Sequence, residues 1–152
     1  MGEKTASRLV VYLLGDDSGL AARISAGLSS LKSKAGWCQV CYGLVSVDRD
    51  LCEICASPKR DHTQVCVVSR PMDVIVLERA VIYNGLYHVL HGSISPVDGI
   101  NPEDLKIDEL VQRVKRGIIR EVILATSRGL EGGTTALFID EQLARLDVRV
   151  TR

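Results

Sequence analysis

The chain carries no excess charge of either sign: 19 Lys and Arg stand against 19 Asp and Glu. That excludes a histone-like or generally cationic nucleic-acid coat. It leaves room for a local basic patch, because phosphate contacts need only a few placed cations. There is no apolar run of the ~18 residues that a membrane span requires. The first residues, MGEKTASRLVVYLLGDD, hold a short apolar run among charges, without the small-residue cleavage pattern of a secretory signal. Gly2 follows Met1, but the rest of a myristoylation signal is only superficially matched. Internal repeats and low-complexity tracts are absent too. These absences point to a cytoplasmic chain with no membrane partner. What is present is 152 residues that are 46% apolar, enough for one modest domain with small attachments.

Cysteine is the residue used unevenly. Four of the five lie between Cys38 and Cys55, as two C-x-x-C pairs with ten residues between them. In a reducing compartment such pairs are metal or redox sites rather than disulfides. Zinc needs four soft ligands converging as a tetrahedron, and two C-x-x-C turns supply them: Cys38 with Cys41, and Cys52 with Cys55. A thioredoxin-type site needs one pair at a helix N-terminus behind a strand, which this pattern does not offer. A catalytic zinc needs an open position, and four cysteines leave none. The spacing therefore predicts a structural Zn²⁺ site. Between the pairs, Leu44 to Val47 alternate as in a small hairpin. Cys66, inside the apolar QVCVVS, reads as a buried core thiol. His62 reads as an exposed loop residue, not a ligand.

The rest of the chain divides by periodicity. Ala6, Leu9, Val10, Leu13 and Leu14 mark one helix, stopped by Gly15. Asp16, Asp17 and Ser18 are cap residues for a second helix, with Leu20, Ile24, Leu28 and Leu31 as its stripe up to Lys34. After Pro58, strands are expected over 63–69, 86–92, 120–126 and 147–152. Helices are expected over 72–85, 106–117 and 131–146, with a Gly/Pro loop over 93–104. Alternation of this kind predicts an α/β fold with a parallel sheet. Ligands of such sheets sit at the strand C-termini, here in the loops that begin at Ser69, Gly92 and Thr126.

CQVCYGLVSVDRDLCEICASPKRD, VCVV, YHVLHGSISPVDGINPEDL and EVILATSRGLEGGTTALFI, in that order, resemble the bacterial RecR family of recombination mediators. The resemblance implies a parallel-sheet Toprim domain over 59–152, a four-cysteine zinc finger over 37–58, and a partial helix-hairpin-helix with a connecting helix over 1–36. It implies a non-enzymatic, DNA-binding role in recombinational repair, helping to load the strand-exchange recombinase onto single-stranded DNA with the partners RecO and RecF. In the family, basic residues matching Lys4 and Arg8 contribute to DNA binding, and an acidic surface matching Glu131 meets RecO. Only the second half of the helix-hairpin-helix is matched, and the family continues beyond VRVTR. The chain is thus expected to be a partial unit, and the family's homo-oligomeric ring is not carried over to it.

Two other functions compete. Toprim enzymes hold Mg²⁺ with a Glu after the first strand and an Asp-x-Asp after a later one. Here Ser69 stands at the first position, and only Glu131 is acidic after ILAT. A primase- or nuclease-like fragment is therefore disfavoured, with Glu131 and Asp98 as the remaining oxygen donors. The plainest role for Glu131 is a first-turn charge that complements the helix dipole. EGGTT reads as an anion-binding helix start or as a Gly-rich turn capped by Thr. His88 and His91, three apart on a strand, face opposite ways and read as core or loop supports. The third possibility is a zinc-stabilised interaction scaffold that never touches DNA.

Overall fold

The computed structural model describes residues 2–152. The chain divides into two compact units, one ending at Ala35 and the other spanning Gly36–Arg152. No helix among the described residues is long and apolar enough to cross a membrane.

The first unit is two helices, α1 (Glu3–Leu14) and α2 (Leu20–Lys34). Both follow the expected stripes, and Gly15 closes α1. The cap of α2 differs in detail from the expectation. Gly19, at φ 75°, takes the N-cap position, while the Asp16 carboxylate reaches forward to accept from Leu20 N at 3.0 Å and Ser18 N at 3.2 Å. The Leu20 bond leads in holding the Asp16 carboxyl below its usual range. Neither helix buries a single residue, and Val11, Tyr12, Leu14 and Leu28 stand well exposed.

The second unit is built on a four-stranded, all-parallel sheet in the order β4-β3-β5-β6. Its strands are β3 (Asp61–Val68), β4 (Gly85–Val89), β5 (Glu121–Leu124) and β6 (Arg149–Thr151). The crossovers carry α4 (Pro71–Ala80), α5 (Ile107–Lys115) and α6 (Leu130–Leu143). One core cluster joins Val65, Val67, Leu90, Leu110, Val122 and Ile139, which packs α5 and α6 on one face. A smaller one joins Cys66, Val68, Tyr87 and Val89 with Val74 and Leu77 of α4. Burial pushes the Cys66 thiol up to about 11, as suits an inert core sulfur.

The departures from the expectation that reshape the fold are three; elsewhere the elements are shorter, with β4 ending at Val89 and α6 at Leu143. The helix expected over 72–85 ends at Ala80, and Val81 turns the chain at φ 54°. Val and Ile lose χ1 freedom in a helix, so a segment rich in them yields when tertiary structure needs a turn. That need is visible downstream: Tyr83 folds back so that its hydroxyl donates to Leu86 O at 3.0 Å, and a Cβ on Gly85 would meet that hydroxyl oxygen at 2.2 Å and the ring at 2.5 Å. The first strand starts at Asp61, so His62 lies on β3, exposed, with Nε2 3.0 Å from Ser57 O. The hairpin expected within 44–47 instead pairs outward: β2 (Leu44–Ser46) forms a two-stranded sheet with β1 (Ala35–Trp37).

Gly132 is fixed by packing. An added Cβ would lie 2.2 Å from Ser127 O, in the turn that leads into α6. Gly132→Ala should cost about 1–3 kcal/mol through overpacking, measurable as a shift in the urea midpoint without a change in slope.

His88 is fully buried, with Nε2 2.7 Å from Lys106 O. Burial leads in pushing its pKa down to about 4. The folded value lies below the unfolded one, so below neutrality the unfolded chain binds the extra proton. Stability contributed by neutral His88 is present above about pH 6.5 and is lost towards pH 4, by up to about 3 kcal/mol. Unfolding free energies at pH 7 and 4.5 should therefore fall less far apart for His88→Phe than for the parent chain.

Candidate metal centre and loop cluster

The second unit carries two sites. The first is the cysteine cluster. The four Sγ atoms of Cys38, Cys41, Cys52 and Cys55 lie within 4.8 Å of one another. Each knuckle aims backbone donors at sulfur. Gly43 N donates to Cys41 Sγ, Cys52 N to Cys38 Sγ and Cys55 N to Cys52 Sγ, each at 3.4 Å. Cys52 caps the short helix α3 (Glu53–Ala56), which turns Cys55 back onto the cluster. The knuckles are tied by Gln39, whose N and Nε2 donate to Asp50 O and Oδ1 at 3.0 and 2.7 Å.

Tyr42 makes the first knuckle possible. It sits at φ 60°, unusual for a residue with a Cβ, and this turn directs Gly43 N at the sulfur. Other residues of the same unit hold it there. His91 Nε2 lies 2.9 Å from Tyr42 O, the His88 ring meets the Tyr42 ring edge-on at 5.5 Å, and Lys106 Nζ lies 5.1 Å above it. So His88 is a core residue and His91 supports the finger, but they do not face opposite ways along one strand: β4 ends at Val89, His91 turns at φ 65°, and both rings reach Tyr42. Val89 N donates to Cys41 O at 2.8 Å, which seats the knuckle against the edge strand β4. This also blunts an otherwise open sheet edge.

The thiols respond unequally to their crowding. The hydrogen bond from Cys41 holds the Cys52 thiol well below the usual thiol range, and the same contact pushes Cys41 up. Cys55 is also raised, first by its contact with Cys41. One thiolate is thus favoured and its neighbours resist a second charge. A dication at the centre reverses that resistance, since it favours every thiolate around it. Four sulfurs, backbone N–H donors to three of them and no carboxylate suit a soft metal in a closed site.

The second site lies where the three expected loops converge, at the C-terminal ends of β3, β4 and β5. Ser69, Ser93, Ser95, Asp98, Thr126 and Glu131 line a cavity of about 510 Å³ there. Ser95 Oγ lies 2.8 Å from Asp98 Oδ2 and 2.9 Å from Glu131 Oε1, so one buried hydroxyl stands between the two carboxylates with a single proton to donate to either. Glu131 is exposed and sits in the first turn of α6. The threonines that follow do not cap that helix. Thr134 and Thr135 donate to the carbonyls of Leu130 and Glu131, and Thr135 Oγ1 also accepts from Ile94 N. The residues that sequence reading missed are Tyr42 and Ser95, which orient others. Only Tyr42 left a trace, as the bulky residue between Cys41 and Gly43.

The Toprim domain family matches residues 63–152. The chain is 49% identical over its whole length to the recombination protein RecR of Chloroflexus aggregans, covering 73% of that protein. The chain belongs to the RecR family. Identity is 45% over its full length to the RecR of Moorella thermoacetica, covering 75% of it. It is also 45% over 99% of the chain to the RecR of Parabacteroides distasonis, covering 72% of that protein. Within the RecR family assignment, the matched Toprim region holds the parallel sheet and loop cavity, and the cysteine cluster lies directly before it. Lys4 and Arg8 lie in the other unit, on α1, four residues apart and both exposed.

Proposed function

We propose that this chain is a non-enzymatic, DNA-binding mediator of recombinational repair, helping to load the strand-exchange recombinase onto single-stranded DNA. The observation that carries the reading is similarity over the whole chain to proteins called recombination protein RecR, 49% and 45% identical in two of them. In it, residues 1–36 form a partial helix-hairpin-helix with a connecting helix that meets DNA through Lys4 and Arg8. Residues 37–58 form a finger in which Cys38, Cys41, Cys52 and Cys55 hold a structural Zn²⁺. Residues 59–152 form the Toprim domain, which offers Glu131 to a RecO-type partner, with RecF as a second partner. The setting is cytoplasmic.

The zinc would supply cross-linking, not chemistry. Four thiolates fill its tetrahedron, so no position remains for water or substrate. The finger has little core of its own, and the metal takes that place.

The non-enzymatic reading is supported by the loop cavity. Ser69 occupies the end of β3, and the acidic side chains near it are Asp98 and Glu131, sharing Ser95, with Asp73 beside Arg70. A hard dication wants several oxygen ligands, and phosphoryl chemistry wants them at the strand ends. The deciding experiment is a DNA titration of the chain, alone and with the RecO partner, run beside a Mg²⁺-dependent nuclease and primase assay. Binding without turnover supports mediation. Mg²⁺-dependent turnover abolished by Glu131→Gln would replace it with the Toprim-enzyme reading.

A further inference from the structure

The finger borders a groove of about 670 Å³ that runs between β2, α3 and α4, within the Gly36–Arg152 unit. Two of the four clustered thiols, Cys41 and Cys52, line it, while Cys38 and Cys55 do not. The groove's exposed lining is more apolar than polar: Val45, Ile54, Val74 and Ile75 are among its aliphatic walls, and Asp48, Arg49, Glu53, Glu78 and Arg79 are its charged ones. A passage of this kind favours an apolar visitor over a hydrated one. Cys52 is partly exposed and Cys41 is 3% exposed, and their sulfurs stand 3.6 Å apart. They belong to different knuckles. A bond between them would remove one ligand from each pair.

We propose that this groove is a thiol-oxidation site that admits an organic hydroperoxide to Cys52, with Cys41 as the resolving thiol. The Cys52 thiolate attacks the terminal oxygen of the hydroperoxide, and the O–O bond breaks. The alkoxide leaves and takes a proton to become an alcohol. Sulfur has lost two electrons to the peroxide and carries a hydroxyl, as a sulfenic acid. The Cys41 thiolate then attacks that sulfur, the S–O bond breaks, and hydroxide leaves with a proton as water. Two thiols and one hydroperoxide become one disulfide, one alcohol and one water. The inference rests on the reading of the cluster as a zinc site, because the two sulfurs consumed are two of the metal's four ligands. Cys38 and Cys55 alone cannot hold it. Cys66 lies in the sheet core with a raised pKa and stays reduced.

The test uses the full chain with its zinc content measured first. Cumene hydroperoxide and hydrogen peroxide are added in parallel, metal release is followed with a chromogenic chelator, and cysteine states are mapped by mass spectrometry. The first disulfide formed should be Cys41–Cys52, appearing in step with release of the metal. The rate with cumene hydroperoxide divided by the rate with hydrogen peroxide should be about tenfold higher than the same ratio on free cysteine. Ile75→Trp, which fills the groove wall, should keep the zinc and slow the cumene reaction by about tenfold. Val76→Trp, on an exposed position of α4 that does not line the groove, should change neither. A first disulfide within one knuckle, or an Ile75→Trp chain oxidised as fast as its parent, overturns the proposal. A chain that holds no zinc at the start overturns the metal reading instead, and the disulfide map then decides the oxidation site by itself.

Discussion

Cys52→Ser should strip the chain of its metal and disorder residues 38–55 while leaving the parallel sheet folded. Structural zinc contributes about 10–16 kcal/mol of apparent binding energy in small fingers, so one lost thiolate of four removes about 3 kcal/mol or more, at least a hundredfold in affinity. Serine keeps the backbone N–H that donates to Cys38 Sγ and can still cap α3, so the variant isolates the loss of one thiolate ligand. Zinc per chain, read by atomic absorption, should fall from about one to near zero.

Hydrogen exchange separates local from global unfolding in the same variant. The amide of Gln39, which bonds across the finger to Asp50 O, and those of Tyr42 and Gly43, which bond within the first knuckle, should lose protection. So should Val89, because its partner is Cys41 O. The amides of Val65 to Leu124 that bond within β3 and β5 should keep theirs, since the core around Val65, Leu110 and Ile139 contains no finger residue. Zinc retained with unchanged protection at Gly43 would overturn the ligand assignment. Protection lost throughout β3 and β5 would show that the finger and sheet fold as one cooperative unit.

These outcomes also explain what the chain's residues made legible. The cluster was readable because metal coordination fixes ligand type and spacing locally: C-x-x-C is nearly the whole geometry of a knuckle. The parallel sheet was readable because strands buried on both faces leave continuous apolar runs, as in VCVV and LYHVL. Tertiary demands were not readable in the same way. The end of α4 at Ala80 depends on Tyr83 packing over Gly85, and β2 finds its partner before the first cysteine instead of after it. Both are long-range choices that a local period cannot encode. Ser95 is the sharpest case. Nothing in SISPVDG marks it, yet its hydroxyl stands between Asp98 and Glu131, which lie 33 residues apart in the chain.

The second large effect concerns DNA. Lys4→Ala/Arg8→Ala should weaken binding to single-stranded DNA at low salt and flatten the salt dependence. Lys4 and Arg8 are the only cations of α1, one turn apart, exposed and in no ion pair among the described residues. Residues at i and i+4 share one face, so both ammonium and guanidinium present to the same strand of phosphates. Lys4 sits in the first turn, where the helix dipole disfavours a cation by a few tenths of a kcal/mol, and no side chain caps that end. An arrangement that is slightly unfavourable for the helix is favourable for a phosphate, which would meet the free N–H groups and both cations together. Each lost phosphate contact removes roughly 0.7 from the slope of log affinity against log salt on a single strand, and roughly 0.9 on duplex. The double variant should therefore lower the slope by about 1.4 on single strands and about 1.8 on duplex. The measurement is fluorescence anisotropy across a salt series, with helicity followed by circular dichroism. Unchanged affinity and slope with α1 intact would remove DNA from the role of this helix and favour the zinc-stabilised scaffold.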